Sequence, residues 1–182
     1  MHKSKNQFSP LILEHIAHTC VRALKNKKRI FVALSGLPGV GKSTLGGYIR
    51  KNGLKCNGGG ARFQPYEIAV IDDNVMSLNL FVARPKIKFT PKYPNNRDNL
   101  NIFLKFLPPY VKIIFCIGSS IQRLEKADIF LYIEIREELR KNLLFTREKT
   151  SRNYADLCAV SSVPILPYEY KIIIDLSKSK II

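Results

Sequence analysis

The stretch Gly36-Leu37-Pro38-Gly39-Val40-Gly41-Lys42-Ser43-Thr44 constrains this chain more than any other. It follows the β-branched and aromatic run Arg29 to Ser35 and passes into a helical pattern, Ser43 to Asn52, that closes on Gly53. The residues fit G-x-x-x-x-G-K-[ST] in the strand-then-helix context that gives the pattern its meaning. Glycines let the backbone curl so that successive N–H groups face a phosphate oxygen, and the helix that follows adds its positive end at the same point. Lys42 is then placed to reach the β- and γ-phosphates of ATP, and the Ser43 hydroxyl to ligate Mg2+. Gly46 and Gly47, inside the helix, each cost about 1 kcal/mol of helix propensity. Both are expected to pack closely on a neighbour.

The rest of the chain repeats the strand-and-helix alternation. Four further runs lack clean alternation and read as strands buried on both faces: Tyr66 to Asp72, Tyr110 to Ile117, Ala127 to Glu134 and Tyr170 to Asp175. Helical patterns cover residues 9 to 27, opened by Ser9-Pro10, then Asp98 to Leu107, and Arg136 to about Leu157. The expectation is a single α/β domain over residues 1–182: a three-layer P-loop NTPase fold with a five-stranded parallel sheet and ligands beyond the carboxyl ends of its strands. The length of 182 residues suits one core. Two segments fall outside the scheme. Residues 54 to 65, with Gly58-Gly59-Gly60, read as a surface loop; residues 82 to 97, basic and punctuated by three prolines, read as a solvated loop or as a lid over an anionic substrate.

Composition removes several chemistries. All three histidines lie at or before His18, so Ser/His/Asp and Cys/His catalysis and His-ligated zinc are excluded from the body of the domain. Cys20, Cys56, Cys116 and Cys158 lie far apart, which suits reduced structural thiols and a cytoplasmic location. No run approaches the ~20 apolar residues of a membrane span. The net charge of +16 calls for an anionic partner.

With no imidazole available, the base toward an acceptor must be a carboxylate. Asp72 and Asp73 end the second strand and emerge at the same sheet edge as the glycine turn, where one of them can accept a hydroxyl proton or hold Mg2+. Metal ligation is assigned to Ser43 and Asp72. Arg147 and Arg152 are expected on a lid at about 136–157 that brings charge to the γ-phosphoryl group. Arg136 and Arg140 read instead as members of a solvated helix face, paired at helical spacing.

Taken together, the leading helix, the glycine turn, the strand ending in Asp72-Asp73, residues 93–107 and the arginine-bearing segment resemble, in order, the P-loop small-molecule kinases of the uridine kinase, nicotinamide riboside kinase and pantothenate kinase group. The resemblance covers most of the chain. It implies a sheet order of 2-3-1-4-5 and an aspartate base, Asp72 or Asp73. Two departures stand out: Ile117-Gly118 replaces the acidic residue usual after the third strand, and Asn74-Val75-Met76 replaces aromatics. The expected activity is transfer of the γ-phosphoryl group of ATP to a hydroxyl of a small nucleoside- or vitamin-like metabolite, phosphorylated ones included. A polynucleotide 5′-hydroxyl kinase or nucleic-acid-dependent ATPase, and a non-catalytic nucleotide-binding protein, are the alternatives.

Overall fold

The computed structural model describes residues 8–55, 62–88, 104–148, 151–177 and 180–181. The strands are β1 (Ile30–Ser35), β2 (Leu54–Lys55), β3 (Arg62–Phe63), β4 (Ile68–Asp72), β5 (Val75–Ser77), β6 (Lys86–Lys88), β7 (Ile113–Ile117), β8 (Ala127–Glu134), β9 (Tyr168–Asp175) and β10 (Lys180–Ile181). The α-helices are α1 (Pro10–Leu24), α2 (Lys42–Asn52), α3 (Glu137–Glu148) and α4 (Ser151–Ala159).

The five runs without alternation pair in parallel as β4-β7-β1-β8-β9. Counted in chain order, neighbours run second, third, first, fourth, fifth. Their apolar character follows from burial on both faces: every residue of β7 is buried. The expected count of five is nevertheless wrong for the sheet as a whole. Antiparallel β5 and β6 extend it past β4, and antiparallel β10 extends it past β9, giving eight strands in a mixed sheet. These additions are two or three residues long, too short to show a period. Lys86–Lys88 had been read as loop or lid and is a strand.

One face of the sheet carries Val32, Leu34, Val70, Phe115 and Leu131 under α1 and α2. The other carries Ala33, Ile71, Cys116 and Phe130 under Leu107, Val111, Ile121, Leu124 and Leu166. Among the described residues that second cover is a 3₁₀ segment, Gly118–Arg123, the helical residues 104–105 at the end of the expected 98–107 helix, and irregular chain. The expected stretch 136–157 divides into α3 and α4. Of the expected helix from Asp98 to Leu107, residues 98–103 lie outside the described residues, as do Gly58-Gly59-Gly60 and Cys56.

At α1, Pro10 occupies the first turn as expected, but Ser9 makes no side-chain cap. The helix stops short of residue 27 because Lys27 is used elsewhere: its Nζ meets Asp128 Oδ1 at 2.6 Å and Glu169 Oε2 at 2.5 Å. Asp128 also accepts the Phe31 N–H at 2.6 Å. One lysine thus pins the amino ends of β1, β8 and β9. Cys20 and Cys116 are buried, reduced thiols, and burial pushes Cys116 up to about 12, which leaves it inert. Among the described residues no helix is long and apolar enough to cross a membrane.

Candidate functional site

The glycine turn sits where β1 gives way to α2. Gly36, Gly39 and Gly41 have φ of 138°, 88° and 95°, a region that disfavours other residues. Gly39 is also sterically fixed, since a Cβ there would lie 2.6 Å from Leu144 Cγ on α3. Gly41 is the N-cap of α2 and supplies no side-chain acceptor, so the N–H groups of the first turn have no cap and face the space before the helix. Leu37, Pro38 and Val40 complete the turn, and Val40 is buried against the core. Of the two glycines inside α2, Gly46 behaves as expected, because a Cβ would collide with Ile117 and lie 3.3 Å from Val70. Gly47 does not: nothing lies within 4 Å.

Lys42 folds back over the loop, donating to the carbonyls of Gly36 at 2.6 Å and Leu37 at 2.9 Å. Burial is the main reason its ammonium falls to about 8; Arg147 and Arg140 push the same way, while Asp72 and Asp73 oppose them. Lys42 is thus held beside the uncapped amides of the turn, poorly solvated and only partly offset by Asp72 and Asp73.

A cleft of about 420 Å³ opens in front of it, with Lys42, Ser43 and Thr44 on one wall, Asp72, Asp73 and Gly118 on another, and Leu143, Arg147 and Leu157 from α3 and α4 above. The two aspartates differ in what they are free to do. Asp73 takes φ 52° in the turn after β4, and its Oδ1 accepts the Ser119 N–H at 2.9 Å. Its carboxylate lies against Gly118, where no side chain fits. Asp73 therefore clamps the β4 turn to the end of β7, beside Ile117. Asp72 has no hydrogen-bond partner among the described residues and lines the cleft with Lys42 and Ser43. By alternation it points to the α2 face, like Ile68 and Val70.

The same residues suit Mg2+. Ser43 is exposed at the start of α2, and Asp72 offers a carboxylate across the cleft. Among the described residues no group of three or more metal-ligating side chains exists. Two oxygen donors match an ion that keeps waters and takes its remaining ligands from phosphates.

The arginines separate differently from expectation. Arg147 lines the cleft, exposed and ion-paired to Glu148 at 2.6 Å. Arg152 belongs to α4, and its side chain lies outside the described residues. Arg140, read as solvated, is 2% exposed. Its guanidinium donates to both Glu137 oxygens at 2.6 Å and to the carbonyls of Pro38, Leu157 and Cys158 at 3.3 Å. It fastens the glycine turn to α3 and to the end of α4. The expected helical-spacing partner of Glu137 was Lys141, and the Glu137–Arg140 pair and its inward direction were not foreseen, because α3 has apolar residues on more than one side.

A second cleft of about 250 Å³ shares Pro38, Lys42 and Gly118 with the first and continues between Ser119–Gln122 and the 160–164 segment. Among the described residues Lys42 is its only charged lining residue, and nothing in the sequence marks this cleft.

No family model matches the chain, and no curated protein matches it. Among solved structures, a proposed fructose transport system kinase from a Silicibacter species is similar at 15% identity, over 87% of this chain and 98% of that one, with a TM-score of 0.47.

Proposed function

We propose that this protein is a Mg2+- and ATP-dependent phosphotransferase acting on a hydroxyl group. The observation that carries the reading is the pairing, across one cleft, of Lys42 at the glycine turn with an unpartnered Asp72. In this reading the triphosphate lies along residues 36–44, with Lys42 leaving the two carbonyls for phosphate oxygens. Ser43 would ligate Mg2+ and Asp72 would hold it through water, and the ion would supply positive charge to the phosphates. The acceptor oxygen bonds to the γ-phosphorus, its proton passes to Asp72, and the bond to the bridging oxygen breaks so that ADP leaves with the electron pair. Arg147 moves from Glu148 toward the charge developing on the equatorial oxygens.

The test is acceptor-dependent ADP release with Mg2+ and ATP over a panel of nucleosides, vitamins, sugars and short oligonucleotides. Lys42→Ala should abolish it. Asp72→Asn should lower transfer by about 10²- to 10⁴-fold with nucleotide affinity changed only a few-fold. Loss of transfer in Asp73→Asn but not in Asp72→Asn would move the base to the other aspartate. Nucleotide binding with no acceptor-dependent release anywhere in the panel would leave a non-catalytic nucleotide-binding protein.

A further inference from the structure

Residues 74–97 contain Arg84, Lys86, Lys88, Lys92 and Arg97 and not one carboxylate. The described part of this stretch is the β5–β6 hairpin, whose outer strand β6 forms the sheet edge. Register ties that edge to the site. Asp72 pairs with Val75, and Val75 with Lys88, so Lys88 lies two strands from Asp72, about 10 Å away at ~4.8 Å per strand. Residues paired in this way share a face, and Ile87 turns under toward Met76. Lys86 and Lys88 therefore leave the sheet on the face to which Asp72 points.

The far end of the hairpin is aromatic. Phe81 is 65% exposed at φ 53°, stacked on Tyr66 with ring centroids 4.5 Å apart and edge-on to Tyr110 at 5.4 Å. Left-handed backbone is costly for a bulky residue, and core packing does not account for a ring held outward. A basic row about 13 Å long from Arg84 to Lys88, at ~3.3 Å per residue, with an exposed aromatic ring beyond one end and a carboxylate near the other fits a polyanion that also carries planar groups. An acidic peptide would use the charge and leave the ring unused; a duplex would keep its bases stacked on one another.

We propose that this edge binds single-stranded nucleic acid, one base stacked on Phe81 and the phosphates along Arg84, Lys86 and Lys88, with the terminal hydroxyl of the strand delivered to Asp72 as the acceptor. The assignment rests on the phosphotransferase reading for its last step. In that step the terminal oxygen bonds to the γ-phosphorus of ATP, Asp72 takes the proton, and ADP departs.

The experiment has two arms, run on the full chain with variants checked for an unchanged melting curve. In the first, fluorescence anisotropy follows a short labelled oligothymidylate. Binding should weaken steeply with salt, Phe81→Ala should weaken it about tenfold, and the Lys86→Gln/Lys88→Gln double variant should lower the log–log salt slope by about 1.4, at ~0.7 per phosphate contact. In the second, label from γ-labelled ATP should pass to an oligonucleotide with free terminal hydroxyls faster than to free thymidine, and not at all with Lys42→Ala. Absent or salt-insensitive binding, equal binding of polyglutamate, wild-type affinity in Phe81→Ala, or preference for the free nucleoside each overturns the assignment. Transfer to a free nucleoside without oligonucleotide binding would leave the phosphotransferase reading standing. Binding that obeys the variants, with no Lys42-dependent transfer to the oligonucleotide, would remove the acceptor role and overturn the assignment, while the phosphotransferase reading stands or falls with the wider acceptor panel.

Discussion

Raising the pH from 7 to 9 should weaken triphosphate binding about tenfold while leaving the protein folded. Burial brings the Lys42 ammonium to about 8, so at pH 7 roughly nine molecules in ten carry the charge and at pH 9 roughly one in ten. A bound triphosphate restores the proton, because phosphate oxygens stabilise the ammonium. The apparent dissociation constant then rises about tenfold over this span, equivalent to ~1.4 kcal/mol, and binding at pH 9 takes up close to one proton. Stability of the ligand-free protein must move the other way. The folded value lies below the ordinary 10.5, so between pH 8 and 10.5 the unfolded chain holds more protons and folding stability rises with pH, by up to about 3 kcal/mol. Titrations of a fluorescent ATP analogue at constant ionic strength give the first quantity. Calorimetry in two buffers of different ionisation enthalpy counts the proton, and urea melts give the stability. Lys42→Arg should flatten the affinity profile, since guanidinium keeps its charge throughout. A flat profile for the unsubstituted protein, with no proton uptake at pH 9, would refute the reasoning.

The two glycines inside α2 should respond oppositely to the same change: Gly47→Ala, with nothing within 4 Å, should gain up to ~1 kcal/mol and raise the melting temperature by about 2–4 °C. Gly46→Ala, driven onto Ile117 and Val70, should lose about 1–3 kcal/mol in the same melts. Arg140→Leu strips donors from the carbonyls of Pro38, Leu157 and Cys158 and should cost about 3 kcal/mol at ~1 kcal/mol each. It should also weaken nucleotide binding, because the glycine turn loses its tie to α3; unchanged affinity in a destabilised variant would confine Arg140 to the fold.

The parallel strands and the glycine turn were legible because both are local and strongly patterned: β8 begins and ends where its apolar run does, at Ala127 and Glu134. The short antiparallel strands were not, because three residues such as Val75–Ser77 make less than two periods of alternation and owe their pairing to β4 beside them. At the site, sequence brought Asp72 and Asp73 to the correct sheet edge but could not separate them. What separates them is a contact 46 positions away, from Asp73 to the Ser119 amide. Arg140 was misread for a related reason: a charged residue on a polar helix looks solvated until α4 and Pro38 are seen to enclose it.

The contact of Leu144 with Gly39, joined to that of Arg140 with Pro38, makes positions 38–39, 140 and 144 a single unit of inheritance. A larger residue at 144 demands movement of a loop that has no spare volume, and any side chain at 39 demands a smaller residue at 144. Sequences descended from this one should therefore exchange these positions jointly or not at all, although about a hundred residues separate them along the chain. Such coupled exchange would mark the seam between loop and helix in relatives too divergent to align elsewhere.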